Sequence, residues 1–107
     1  MKLSYSPEAI SDLIRLREFI EEKNPQATQR IASSIKKGIN QLKSFPHLGV
    51  KVGRAPTPEF IRDLIIGNYT ARYLIRPKEI TILRIWHHKE EVNIDIRTNI
   101  HKTGNVK

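Results

Sequence analysis

Arg84 stands inside an otherwise apolar run, Ile80-Thr81-Ile82-Leu83-Arg84-Ile85-Trp86, and is the residue of this chain best placed to meet an anion. One reading lays its stem over a sheet and pairs its head with Asp63 or Glu79. The other makes it an anion-binding arginine on an open sheet face beside Arg72 and Arg62, because the planar guanidinium fork matches phosphate or carboxylate. Trp86 reads as core or edge packing rather than as a stacking platform. The pair His87-His88 could supply a general base or a metal ligand. Adjacent strand residues point to opposite faces, so the two cannot share one ion, and no metal site or cofactor is expected. The sequence has no glycine-rich phosphate loop, no paired-carboxylate motif and no serine triad.

These residues need elements to hold them. Residues 2 to 5 alternate weakly and suit a short strand. Ser6-Pro7 is an N-cap followed by proline at the first helical position, which predicts a helix over residues 7–23 with Ala9, Leu13, Leu16 and Ile20 on its inner face. Asn24-Pro25 repeats the start signal. A second helix over 25–45 carries the stripe Ala27, Ile31, Ile35, Ile39 and Leu42, with Lys36, Lys37 and Lys43 off it. Proline and glycine crowd residues 46–59, which argues against regular structure there. Beyond them the period falls to two, and residues 61–66, 69–76 and 79–87 read as strands joined by Gly67-Asn68 and Pro77-Lys78. Alternation puts Ile80, Ile82, Arg84 and Trp86 of the last strand on one face and Thr81, Leu83, Ile85 and His87 on the other. Such short connections make an antiparallel meander. The fold class is therefore α+β, βααβββ, with two antiparallel helices on one face of a small, mostly antiparallel sheet. The 107 residues suit a single domain, with about 93–107 as a C-terminal tail; over 92–100 strand and helix spacings compete.

Composition narrows the partners. Without cysteine there are no disulfides, thiolate nucleophiles or cysteine-based metal sites. No apolar run reaches the roughly 20 residues that span a bilayer, and Met1 to Tyr5 is too short and polar for a signal peptide, so a cytoplasmic location away from membranes is expected. The net charge of +8 favours an acidic partner. That charge is unevenly spread. Residues 8–22 hold five acids, whereas residues 23–58 hold none against seven bases, Lys23, Arg30, Lys36, Lys37, Lys43, Lys51 and Arg54.

Taken in order, several segments resemble a known family. They are Tyr5-Ser6-Pro7-Glu8-Ala9 leading into Asp12-Leu13, Asn24-Pro25-Gln26-Ala27, Phe45-Pro46-His47-Leu48-Gly49, Arg62 through Tyr69, Arg72-Tyr73, and Ile82 through His87. Over residues 3 to 90 the chain resembles the ParE/RelE toxins of type II toxin-antitoxin systems, also called plasmid-stabilisation proteins. The helix opening at Asn24 and the strand around Trp86 look closer to ParE.

The resemblance implies a βααβββ toxin with a cognate acidic antitoxin that wraps it, and operator DNA reached only through that antitoxin. A ParE-like toxin would inhibit DNA gyrase without being an enzyme. A RelE-like one would be an mRNA interferase on the ribosome, in which Lys51, Arg54, Arg62, Arg72 and Arg84 stabilise the transition state and His87 or His88 moves protons. No tyrosine follows Tyr73, unlike many RelE-like toxins, so the ParE-like reading is preferred. Arg30, Lys36, Lys37, Lys43 and Arg54 are then expected to bind the antitoxin, and Arg72, Arg84, Trp86, His87 and Lys89 the target.

Overall fold

A computed structural model describes residues 1–53 and 60–90. Arg54 and the segment beyond Glu90 lie outside the described residues. In chain order the elements are β1 (Lys2–Tyr5), α1 (Pro7–Lys23), α2 (Thr28–Asn40), β2 (Val50–Lys51), β3 (Ile61–Ile66), β4 (Tyr69–Ile75) and β5 (Glu79–His87). Short 3-10 turns, Pro25–Ala27 and Gln41–Lys43, flank α2, so the second helix is tighter at both ends than its apolar stripe suggested.

The start of α1 forms as its residues dictate. The Ser6 hydroxyl accepts the Ala9 N–H at 3.0 Å, and Pro7 occupies the first turn, where no intrahelical acceptor is missed. Asn24, by contrast, makes no side-chain cap for the turn that follows it. Gly67 sits at φ 58°, the left-handed backbone that the two-residue turn between β3 and β4 needs.

Five strands form one sheet in the order β1-β5-β4-β3-β2, antiparallel except for β1, which runs parallel to β5. The fifth strand is β2, a two-residue segment in the stretch expected to be irregular. Tyr73, Ile80, Ile82 and Ile85 of the sheet are fully buried against Leu16 of α1 and Ile39 and Leu42 of the second helical segment. Leu13 is 36% exposed, and Asp12 takes the buried position beside it on α1.

One expectation about β5 fails. Arg72 pairs with Arg84 but Tyr73 pairs with Ile82, so Leu83 is an extra residue, a β-bulge that shifts the alternation. Past it, Ile85 joins Ile80 and Ile82 in the core, and Arg84 and Trp86 no longer share their face.

Candidate functional site

The sheet face turned away from the helices carries Arg72, Trp86 and Thr70. Cross-strand pairing places Arg72 opposite Asp63, and the guanidinium binds that carboxylate in bidentate fashion, Nε to Oδ1 at 2.8 Å and a terminal nitrogen to Oδ2 at 3.0 Å. The same guanidinium lies 5.2 Å from the Trp86 ring centre, within cation-π range. Beside them Thr70 Oγ1 stands 2.9 Å from His88 Nε2. This face presents a half-buried tryptophan and an arginine whose charge Asp63 already balances.

Arg84 goes elsewhere. At the bulge it turns to α1 and donates to Asp12, Nε to Oδ2 at 2.8 Å and a terminal nitrogen to Oδ1 at 3.1 Å, in place of the expected Asp63 or Glu79. Asp12 also accepts the Ile85 N–H at 2.8 Å and pairs with Arg15. Arg15 in turn donates to the Ile85 carbonyl at 3.0 Å and to Glu90 at 2.8 Å, and Glu90 accepts the His87 N–H at 2.9 Å. Burial alone would raise the Asp12 carboxyl, but hydrogen bonds from Arg84, Ile85 and Arg15 outweigh it and hold the group below the usual carboxylate range. Glu90 behaves alike, raised by burial but lowered further by Arg15 and the His87 amide.

A third cluster fixes the loop before β2. The Tyr73 hydroxyl accepts the Gly49 N–H at 2.9 Å and donates to the Pro46 carbonyl at 2.8 Å. Arg62 donates to the Gly49 carbonyl at 2.8 Å. Lys51 is paired with Arg62 in the ladder, so these two cations share the face opposite Arg72. His87 is on that helix side too, its ring 4.8 Å from Tyr69 and 5.1 Å from Phe19. Burial lowers its pKa, which favours the neutral imidazole, and its Nδ1 accepts the Lys89 N–H at 3.0 Å.

Comparison with known proteins decides the family. The family model for the ParE toxin of type II toxin-antitoxin system, parDE, matches residues 3–92. The chain belongs to the ParE toxin family. It is 29% identical over 79 residues to Toxin RelE2 of Caulobacter vibrioides, covering 74% of this chain and 85% of that protein. A solved chain of the chromosomal ParDE TA system from P. aeruginosa superposes with a TM-score of 0.68 at 22% identity, over 81% of this chain and 95% of that one, and so shares the fold. Membership makes a cognate antitoxin the partner of this ParE-family chain.

Within the ParE-family fold the expected site residues separate into groups. Arg72 and Trp86 meet on the open face; Arg84 is at the β5 edge; His87 is in the helix layer; Lys51 and Arg62 lie by the loop clamp. The expected antitoxin contacts also divide. Lys36 lines the apolar groove between α1 and α2, Lys37 lines a cleft against β3, and Arg30 lines a cleft at the β3-β4 turn with His87 and Lys89. Asp12, Arg15, Glu90 and the Tyr73 hydroxyl were missed by sequence reasoning. Asp12 did leave one signal: an acid at helical spacing between Ala9 and Leu16 belongs on the buried stripe.

Among the described residues no helix is long and apolar enough to cross a membrane.

Proposed function

We propose that this chain is a ParE-type toxin that acts by binding, with DNA gyrase as its target, and that an acidic antitoxin segment neutralises it by adding to the free edge of β3. The observation that carries the first half is the dispersal of the cations. A ribonuclease needs several bases and a proton-transfer group around one phosphate, whereas here Arg72 is engaged by Asp63, Arg84 by Asp12, and Lys51 with Arg62 lies on the opposite face. Arg72, Trp86 and Lys89 remain as the target-facing residues of this reading.

The second half rests on β3. Its pairing with β2 ends at Val50↔Asp63, and no described strand continues along Leu64–Ile66. The Ile61 carbonyl points outward to Val52 and the Phe60 carbonyl inward to Ile75, so by alternation the Ile65 N–H and carbonyl also point outward. An extended peptide can take those groups while its carboxylates meet Lys37 and its neighbours on α2. Operator DNA would be contacted by the antitoxin alone.

The test has two arms. Purified toxin is expected to inhibit gyrase supercoiling or trap cleaved DNA while leaving ribosome-bound mRNA intact. Site-specific mRNA cleavage lost in Lys51→Ala and His88→Ala, both exposed positions, would establish the RelE-like alternative instead. Co-expression with the neighbouring open reading frame is expected to yield a complex that survives about 0.5 M salt, since hydrophobic burial is not screened.

A further inference from the structure

Where the ends of the two helices meet the β3-β4 turn, the surface opens into a cleft of about 700 Å³. Its aliphatic wall is Ile31, Ile35 and Ile66, and its cations are Lys23, Arg30 and Lys89. Among the described residues no aspartate or glutamate lines it. Glu90, next to Lys89 in the chain, is turned away to Arg15 and to the His87 amide. The charge of the cleft is thus uncompensated from within, unlike that of Arg72 or Arg84.

We propose that this cleft is a docking site for an acidic peptide segment, one that places an aliphatic side chain against Ile31, Ile35 and Ile66 and carboxylates against Lys23, Arg30 and Lys89. The proposal rests on the antitoxin reading above for the source of the segment. It goes beyond that reading in naming a second site, away from the strand edge, and the side chains it takes.

Three observations favour a peptide over a nucleotide. A base would need a free aromatic face on which to stack. The rings available are already used on one another: Tyr69 is buried and edge-on to His87, and His87 leans on Phe19. The remaining wall is aliphatic, which suits a leucine or isoleucine anchor. Third, the cleft is continuous with the free edge of β3. A second cleft of about 620 Å³ runs along that edge beside Lys37 and Gln41, and the two share Ser34 and Ile66. A strand added beside Ile65 therefore passes directly into the basic cleft. Because His87 and Lys89 line the same cleft as Arg30, an occupant would cover part of the surface assigned to the target, and neutralisation would proceed by direct competition.

The test is amide NMR of the full chain titrated with the acetylated, amidated hexapeptide Glu-Leu-Glu-Ile-Glu-Glu and, separately, with hexauridylate. The peptide is expected to shift the amides of Ser34, Asn68 and Lys89. The exposed-site double variant Arg30→Glu, Lys89→Glu is expected to weaken it on the order of tenfold or more, while Lys78→Glu, at the exposed β4-β5 turn, leaves it unchanged. Equal binding to the double variant, or hexauridylate shifting these amides where the peptide does not, would overturn the proposal. Failure is separable from that of the antitoxin reading. If the neighbouring reading frame's product binds the double variant as tightly as the native chain, the edge reading stands and the cleft proposal falls. If no such product co-purifies but the peptide fills the cleft, the reverse holds.

Discussion

Past Tyr5, where β1 ends, no described strand lies along the outer side of β5, yet its outer backbone groups have partners: the Leu83 carbonyl accepts from Ser6, Ile85 exchanges bonds with Asp12 and Arg15, and the His87 N–H reaches Glu90. Past Asp63, no described strand lies along the outer side of β3 either, and there the flanking feature is an open cleft lined by Lys37 and Ile65, the latter 55% exposed. One edge is closed by side chains from a helix and the other is left for main chain to complete. An unpaired edge is a template for another chain, so closing one and leaving one gives an incoming strand a single edge to join.

The largest expected effect comes from breaking the closed edge. Asp12→Ala would take away the carboxylate that Arg84 and the Ile85 N–H share, and removing one member of a buried pair costs about 3–5 kcal/mol. Urea unfolding measures it, and a loss under about 1 kcal/mol would mean that water replaces the carboxylate. The same group gives the edge a pH dependence. Because the folded Asp12 and Glu90 carboxyls are depressed, the unfolded chain takes up protons first as the solution is acidified. Their stabilisation is complete above roughly pH 5 and is lost as the pH falls through the folded values. The melting temperature of Asp12→Asn should fall less steeply below pH 4 than that of the native chain. His87, also depressed, contributes above roughly pH 6.5 and loses that contribution on acidification.

The open edge is bounded by the loop clamp, and Gly49→Ala sharpens the comparison there. A Cβ at Gly49 would stand 2.7 Å from the Asp63 carbonyl oxygen and 2.9 Å from Tyr73 Cε1, so β2 must move off β3, at about 1–3 kcal/mol by chemical denaturation. The variant should also lengthen the free edge, which hydrogen exchange at Val52 and Asp63 would register. Tyr73→Phe, which deletes the hydroxyl holding Gly49 and Pro46, should cost about 1–3 kcal/mol, because a buried amide is left unpaired. Ser6→Ala removes both an N-cap and the donor to Leu83, for about 1 kcal/mol. At the bottom of the series Arg17→Ala, whose partner Glu21 is one helical turn away on the surface, should move stability by no more than about 0.5 kcal/mol.

The sequence disclosed what local chemistry decides. Ser6-Pro7 marked the first helix and Gly67-Asn68 the hairpin turn, because each requirement is met within a few residues. The stripe from Ala27 to Leu42 marked a buried face for the same reason. The Leu83 bulge was illegible, since Ile82-Leu83-Arg84-Ile85 alternates equally well with or without an extra residue, and only pairing with β4 decides which side Ile85 takes. The partner of Arg84 was illegible as well, being 72 positions away on the first helix. For the site, alternation grouped Trp86 with Ile80, Ile82 and Arg84, so its contact with Arg72 across the strands could not be read, nor could spacing tell that Arg30 and Lys89 face one cleft.

The parallel pairing of Lys2–Tyr5 with Glu79–Ile82 has a consequence in time. Among the described strands β1 is made first and has no sheet partner until β5 is made, so the described sheet cannot close before then. At about 5–20 residues per second, the stretch from Tyr5 to Ile82 takes roughly 4–15 s. Throughout that interval the nascent toxin lacks the strand that carries Arg84 and Trp86, and whatever harm it does must wait until that strand is made.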